Sequence, residues 1–188
     1  MDQKAEHALQ FFRGKVAEFN RKRYTENDIS AYINLYDVLV ELKKDDTDAV
    51  ATVITLLNEA DAHDMHDWIL MALRGVAQRG TISYETAKQI LKSTERTAMG
   101  DADEWFRSIQ ELARSPQGIR VLLEFIDRLL DKHDIYSWRW LAFFTAGTIL
   151  YRNAASIPES LKEKLKAQID QEPDPHDKKY MQEVADMF

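Results

Sequence analysis

The segment from His63 to Asp67 (His-Asp-Met-His-Asp) has the residue types and spacing most suited to chemistry. On a helix, His66 is three residues and Asp67 four residues after His63, so the three side chains project from nearly one face. Imidazole and carboxylate groups are suitable ligands for Zn²⁺, Mn²⁺ or Fe²⁺. One interpretation is therefore a metal site formed by His63, His66 and Asp67.

This motif resembles the HD family of metal-dependent phosphohydrolases, which are all-helical and of similar size. The resemblance implies a His-Asp pair at residues 63–64 or 66–67 and a later acid at Asp127, Asp131 or Asp134. Here the His-Asp pair lies at the start of a predicted helix, whereas in the family pattern it lies at the end of an apolar helix. The alternative, which we favour, is an N-terminal cap cluster with solvated histidines. We therefore predict no metal and no other cofactor.

Other enzyme signatures are missing from the sequence. The chain has no Cys, which excludes disulfides, thiolate metal sites and a cysteine nucleophile. Its 6 Gly are scattered and form no phosphate-binding loop.

The first 25 residues are charged throughout and lack the apolar stretch of a signal peptide. The longest charge-free apolar run, residues 140–151, is too short to span a bilayer. We expect a cytoplasmic protein without membrane contact.

The acidic residues are concentrated in one part of the chain, which has 25 basic and 32 acidic residues and a net charge of −7. Residues 45–73 contain no Lys or Arg but seven acids: Asp45, Asp46, Asp48, Glu59, Asp61, Asp64 and Asp67. A second stretch without basic residues, 97–106, holds Asp101, Asp103 and Glu104. These acids either cap helices or create a negative field that attracts a basic partner. Nucleic acid is disfavoured because phosphate binding needs clustered cations.

The tryptophans are candidates for core packing or for partner binding. Trp138 and Trp140 lie about 200° apart on a helix, so one of them is partly exposed or lies between packed layers. Trp105 follows Asp103 and Glu104, and an exposed Trp beside acids is a typical anchor in protein interfaces. Core packing is the interpretation that we favour for the tryptophans, and Trp105 is the best placed of them for partner binding. Our candidate partner-binding residues are Asp61, Asp64, Asp67, Asp101, Asp103, Glu104 and Trp105.

The hydrophobic pattern has a period of 3.6 residues nearly throughout and predicts about ten helices in one all-α domain over residues 1–188. Residues 138–151 are the most apolar and predict a central buried helix. Local start signals occur at Ser83, Ser115-Pro116, Pro158 and Asp174-Pro175.

Two segments repeat at an offset of 70 residues: His63-Asp-Met-His-Asp-Trp68 and His133-Asp-Ile-Tyr-Ser-Trp138. Each follows a pair of leucines and precedes a very apolar helix. The organisation resembles the α-α superhelix of HEAT-type repeats, with units at residues 46–115 and 116–188. An orthogonal helical bundle is the alternative architecture.

From these patterns we predict a non-enzymatic module for protein–protein interaction whose acidic surface binds a basic protein partner. Its size and charge suit an inhibitor or an immunity-type protein, by analogy. The alternative is an HD-like metal-dependent phosphohydrolase.

Overall fold

The computed structural model describes residues 82–98, 102–133, 137–152 and 157–188, together with the helical residues Gln10 and Gly14. Six α-helices form the long described part: α1 (Tyr84–Ala98), α2 (Ala102–Leu112), α3 (Pro116–Lys132), α4 (Trp138–Arg152), α5 (Glu159–Ile169) and α6 (Pro175–Ala185). Every regular element within these ranges is a helix, which confirms the all-α prediction there. The helices expected between residues 24 and 81 lie outside the described residues.

Three of the helix starts are capped by the side chains that the sequence indicated. The Ser83 hydroxyl accepts a hydrogen bond from the Thr86 amide at 3.1 Å, and the Ser115 hydroxyl accepts one from the Gly118 amide at 2.9 Å. The Asp174 carboxylate accepts from two amides of the first turn of α6. Each cap satisfies amides that have no partner inside the helix, which is why the chain turns helical at these points.

The α3 helix lies at the centre of the described part and contacts α1, α2, α4 and α5. The α6 helix packs on α4 and α5. The extensive contacts all join helices that are consecutive or next but one in the chain. Short connections hold consecutive helices against each other, so local sequence order determines which faces meet.

The core runs along α3 and α4. The α4 helix is apolar nearly all round and buries seven of its side chains, among them Phe143 with no exposed surface. This confirms the prediction of a central helix over residues 138–151, although the predicted burial does not extend to Tyr151, which is 85% exposed. Within the described ranges, no helix has both the length and the hydropathy needed to span a bilayer.

Two glycines allow close helix contacts. A Cβ atom at Gly118 would lie 2.0 Å from the carbonyl oxygen of Leu112, where the start of α3 meets the end of α2. A Cβ atom at Gly147 would lie 3.3 Å from Cγ2 of Val184, where α4 meets α6. The first contact is with rigid backbone and the second with a side chain.

Candidate interaction surface

Most of the residues that the sequence singled out lie outside the described residues: Asp61, His63, Asp64, His66, Asp67 and Asp101. The side chain of Glu104 is not described either. Asp103 is exposed in the first turn of α2. The predicted acidic surface of residues 45–67 and 101–104 therefore stays a prediction.

Trp105 is buried, which corrects its assignment as an exposed anchor. Its side chain is 6% exposed, and its ring stacks on the Phe125 ring of α3 with 5.4 Å between the ring centroids. The Arg128 guanidinium covers the Phe125 ring at 5.1 Å. Because α3 lies against this side of α2, Trp105 belongs to the core.

Asp127 and Asp131, named above as possible metal-binding acids, both contact Lys164 of α5. Lys164 Nζ of α5 donates to Asp127 at 2.7 Å and to Asp131 at 3.0 Å. These two hydrogen bonds raise the pKa of Lys164 above its ordinary value. Within the part of the chain that the structure describes, no group of three or more His, Asp or Glu side chains could hold a metal ion.

Several other acids on the described helices are paired with a nearby cation. Glu95 of α1 forms an ion pair with Arg128 of α3, and Glu124 forms one with Arg120 at 3.6 Å. Arg120 also lies over the Tyr84 ring at 4.5 Å. Exposed pairs of this kind contribute little to stability.

Trp140, Phe144, Thr148 and Tyr151 lie along one side of α4; the first three are partly buried and Tyr151 is exposed. These residues recur at spacings of three or four and so share one helix face. The Thr148 hydroxyl donates a hydrogen bond to the Phe144 carbonyl oxygen at 2.8 Å, so its donor is satisfied within α4. We call these four residues the α4 stripe. Its last member, Tyr151, is 85% exposed.

Aromatic rings from α2 and α6 flank the α4 stripe. The Phe106 ring of α2 lies 5.2 Å from that of Trp140 and 4.4 Å from that of Phe144. The Tyr180 ring of α6 lies 6.3 Å from that of Trp140. Trp140 and Phe144 stack on each other at 5.3 Å with an interplanar angle of 8°. Trp140 and Phe144 therefore belong to an aromatic cluster that three helices share, and both pack against the core.

The connector between α5 and α6 is acidic and adjoins this cluster. Residues 167–177 contain the four acids Asp170, Glu172, Asp174 and Asp177, and Asp170 pairs with Lys178 at 3.4 Å. Glu172 lies 3.8 Å from Arg139, which directly precedes Trp140. Burial, with the nearby Asp174 and Glu172 carboxylates, raises the pKa of Asp177. Hydrogen bonds from the backbone amides of Asp177 and His176 lower the pKa of Asp174.

Tyr180 provides a prediction for alkaline pH. Burial raises the pKa of Tyr180 from 10.0 to about 12, so its phenol keeps its proton in the folded chain after it has ionised in the unfolded chain. The free energy of unfolding should thus fall as the pH rises from 10 to about 12. Urea denaturation of the wild type and of Tyr180→Phe over this range, at constant ionic strength, checks this. Equal pH slopes for the two proteins would contradict it.

Sequence reasoning missed the α4 stripe because α4 shows no polar face. A helix that is apolar all round predicts full burial, whereas Tyr151 near the end of α4 is 85% exposed. The 200° separation of Trp138 and Trp140 was the available signal, and both side chains are partly exposed.

Comparison with protein families, curated proteins and solved structures finds no match to this chain.

Proposed function

We propose that this protein is a non-enzymatic module for protein–protein interaction whose acidic surface binds a basic protein partner. The observation that carries the proposal is the charge distribution of the chain. Residues 45–73 hold seven acids and no Lys or Arg. An unbalanced field of one sign raises the rate of encounter with partners of the opposite sign and disfavours partners of the same sign.

The pairing of charges elsewhere supports this interpretation. Asp127 and Asp131 share Lys164, and Glu95 pairs with Arg128. Residues 45–73 themselves contain no Lys or Arg, so their seven acids form a negative excess within this stretch of sequence. The negative excess is thus localised, as recognition of a basic surface requires.

We propose a HEAT-like α-α superhelix as the architecture that carries this surface, with units at residues 46–115 and 116–188. Its support is the contact pattern, in which α1 to α6 meet mainly their immediate and next-but-one neighbours. Repeat proteins have this pattern because each unit contacts only the units beside it. An orthogonal bundle, the alternative, would bring helices distant in sequence into contact.

A small acidic helical domain with these properties suits an inhibitor or an immunity-type protein that masks a basic effector. The argument is an analogy of size and charge. Masking needs a complementary surface and no catalytic group, which agrees with the lack of enzyme signatures in the sequence.

Affinity capture with the tagged full-length chain tests the proposal. We expect a basic protein to bind at about 50 mM salt and to be lost at about 500 mM, because salt screens exposed charges. The triple variant Asp61→Asn, Asp64→Asn, Asp67→Asn should lose this protein at low salt. A matched control removes the same charge from exposed positions of α5 and α6 by Glu159→Gln, Glu163→Gln and Glu183→Gln. Capture that is insensitive to salt and to the first variant would refute the proposal.

A further inference from the structure

We propose that α6 and the connector before it form a strap, residues 170–188, that opens from α4 and α5 as a unit while α1 to α5 stay folded. Opening would uncover the side of α4 that now lies under α6, at Trp140 and Gly147. This side is apolar, because α4 is apolar nearly all round. The inference goes beyond the proposed function and does not depend on it.

The strap buries fewer residues than the central helices do. The buried side chains of α6 are Met181, Val184 and Ala185, whereas α3 buries eight residues and α4 seven. The α5 helix also buries three side chains, but it packs against α3, α4 and α6, and its Lys164 binds two carboxylates of α3. A segment with few buried apolar contacts opens at a lower free energy than the whole protein unfolds.

The hydrogen bonds of the strap are made within the strap. Asp174 caps α6 by accepting hydrogen bonds from two amides of its first turn, and Lys178 Nζ donates to Asp170 at 3.4 Å. Within the described ranges, residues 174–188 form no hydrogen bond with a residue before 170. None of these bonds has to break when the strap opens, so α6 can move as an intact helix.

An ion pair fastens the connector to the start of α4. Glu172 lies 3.8 Å from Arg139, and their side chains are 11% and 27% exposed. The Asp170 side chain, in contrast, is 95% exposed and pairs within the strap. Loss of one partner from a shielded pair leaves the other charge uncompensated, whereas a fully solvated pair contributes little. Removal of the Glu172 charge should therefore loosen the strap, and removal of the Asp170 charge should not.

Hydrogen–deuterium exchange of the full-length chain, followed by mass spectrometry, tests the inference. After correction for intrinsic rates, the amides of residues 179–185 should exchange at least about tenfold faster than those of residues 122–130 in α3. They should also exchange at one common rate, because the helix leaves α4 as a unit. A rate that rises steadily from residue 179 to residue 185 would mean fraying of the helix end and would overturn the inference.

A disulfide between α4 and α6 should close the strap. The chain has no Cys, and a Cβ at Gly147 would lie 3.3 Å from Cγ2 of Val184, so thiols at these two positions are within bonding reach. In the variant Gly147→Cys, Val184→Cys, oxidation should slow exchange in α6 at least about tenfold. The same variant after reduction is the matched control.

A second pair of variants leaves the α4–α6 contact untouched. Glu172→Gln should raise the exchange rate of α6 at least about threefold, and the control Asp170→Asn should leave it within about 1.5-fold. Equal exchange in α3 and α6, exchange in α6 that the disulfide does not slow, or equal effects of Glu172→Gln and Asp170→Asn would each overturn the inference.

Discussion

The substitution Phe143→Ala is expected to lower the free energy of unfolding by about 3–5 kcal/mol, the range observed when a buried Phe is truncated. Phe143 has no exposed surface and lies in the middle of α4, which packs against α2, α3, α5 and α6. The decrease in the free energy of unfolding has two parts. The favourable burial of the ring away from water is lost, and its removal leaves a cavity that the four neighbouring helices cannot fully close. Urea denaturation followed by circular dichroism measures the effect.

Tyr151→Ala is the control for this experiment, because it also removes a ring from α4 but at a position that is 85% exposed. Its effect on the free energy of unfolding should stay within about 0.5 kcal/mol. Similar losses in the two variants would mean that α4 is not the central helix of the core.

Gly118→Ala is expected to destabilise the protein by about 2–3 kcal/mol, although alanine is the better helix former. The new Cβ would lie 2.0 Å from the Leu112 carbonyl oxygen and 2.8 Å from the Ser115 hydroxyl. Relief of this overlap moves α3 away from the last turn of α2 and disturbs the hydrogen bond that caps α3. Chemical denaturation and the thermal midpoint should both report the loss.

Two other glycines serve as controls for the sign of the effect. A Cβ at Gly14 would have no atom within 4 Å, and this residue is helical, so Gly14→Ala should stabilise the protein by about 0.5–1 kcal/mol. Gly147→Ala meets the Val184 side chain at 3.3 Å and should change stability by less than about 1 kcal/mol. A stabilising Gly118→Ala would show that the α2–α3 contact is looser than described.

The helix starts were predictable from the sequence because they depend on a few neighbouring residues. Ser115 accepts a hydrogen bond from the amide three residues later, and Pro116 lacks the amide hydrogen that this position does not need. Asp174 with Pro175 repeats the same chemistry at α6. Pro158 was predicted to open α5, and it stands just before the helix without forming a side-chain cap.

The exposure of the tryptophans was not predictable in the same way, because it depends on which helix lies opposite. Trp105 follows two acids in the sequence and yet is buried, since α3 covers its ring. Trp140 lies in the most apolar segment and is only partly buried, with the rings of Phe106 and Tyr180 packed against it. The pattern of α4 alone contains no signal that distinguishes its open side.

The contact pattern of α1 to α6 has a consequence for how the chain acquires its structure. Residues that touch each other are mostly close in sequence, so the relative contact order of this part is low. Little loop-closure entropy has to be overcome before native contacts form, which favours fast folding. Neighbouring hairpins can then assemble while the rest of the chain is still emerging from the ribosome.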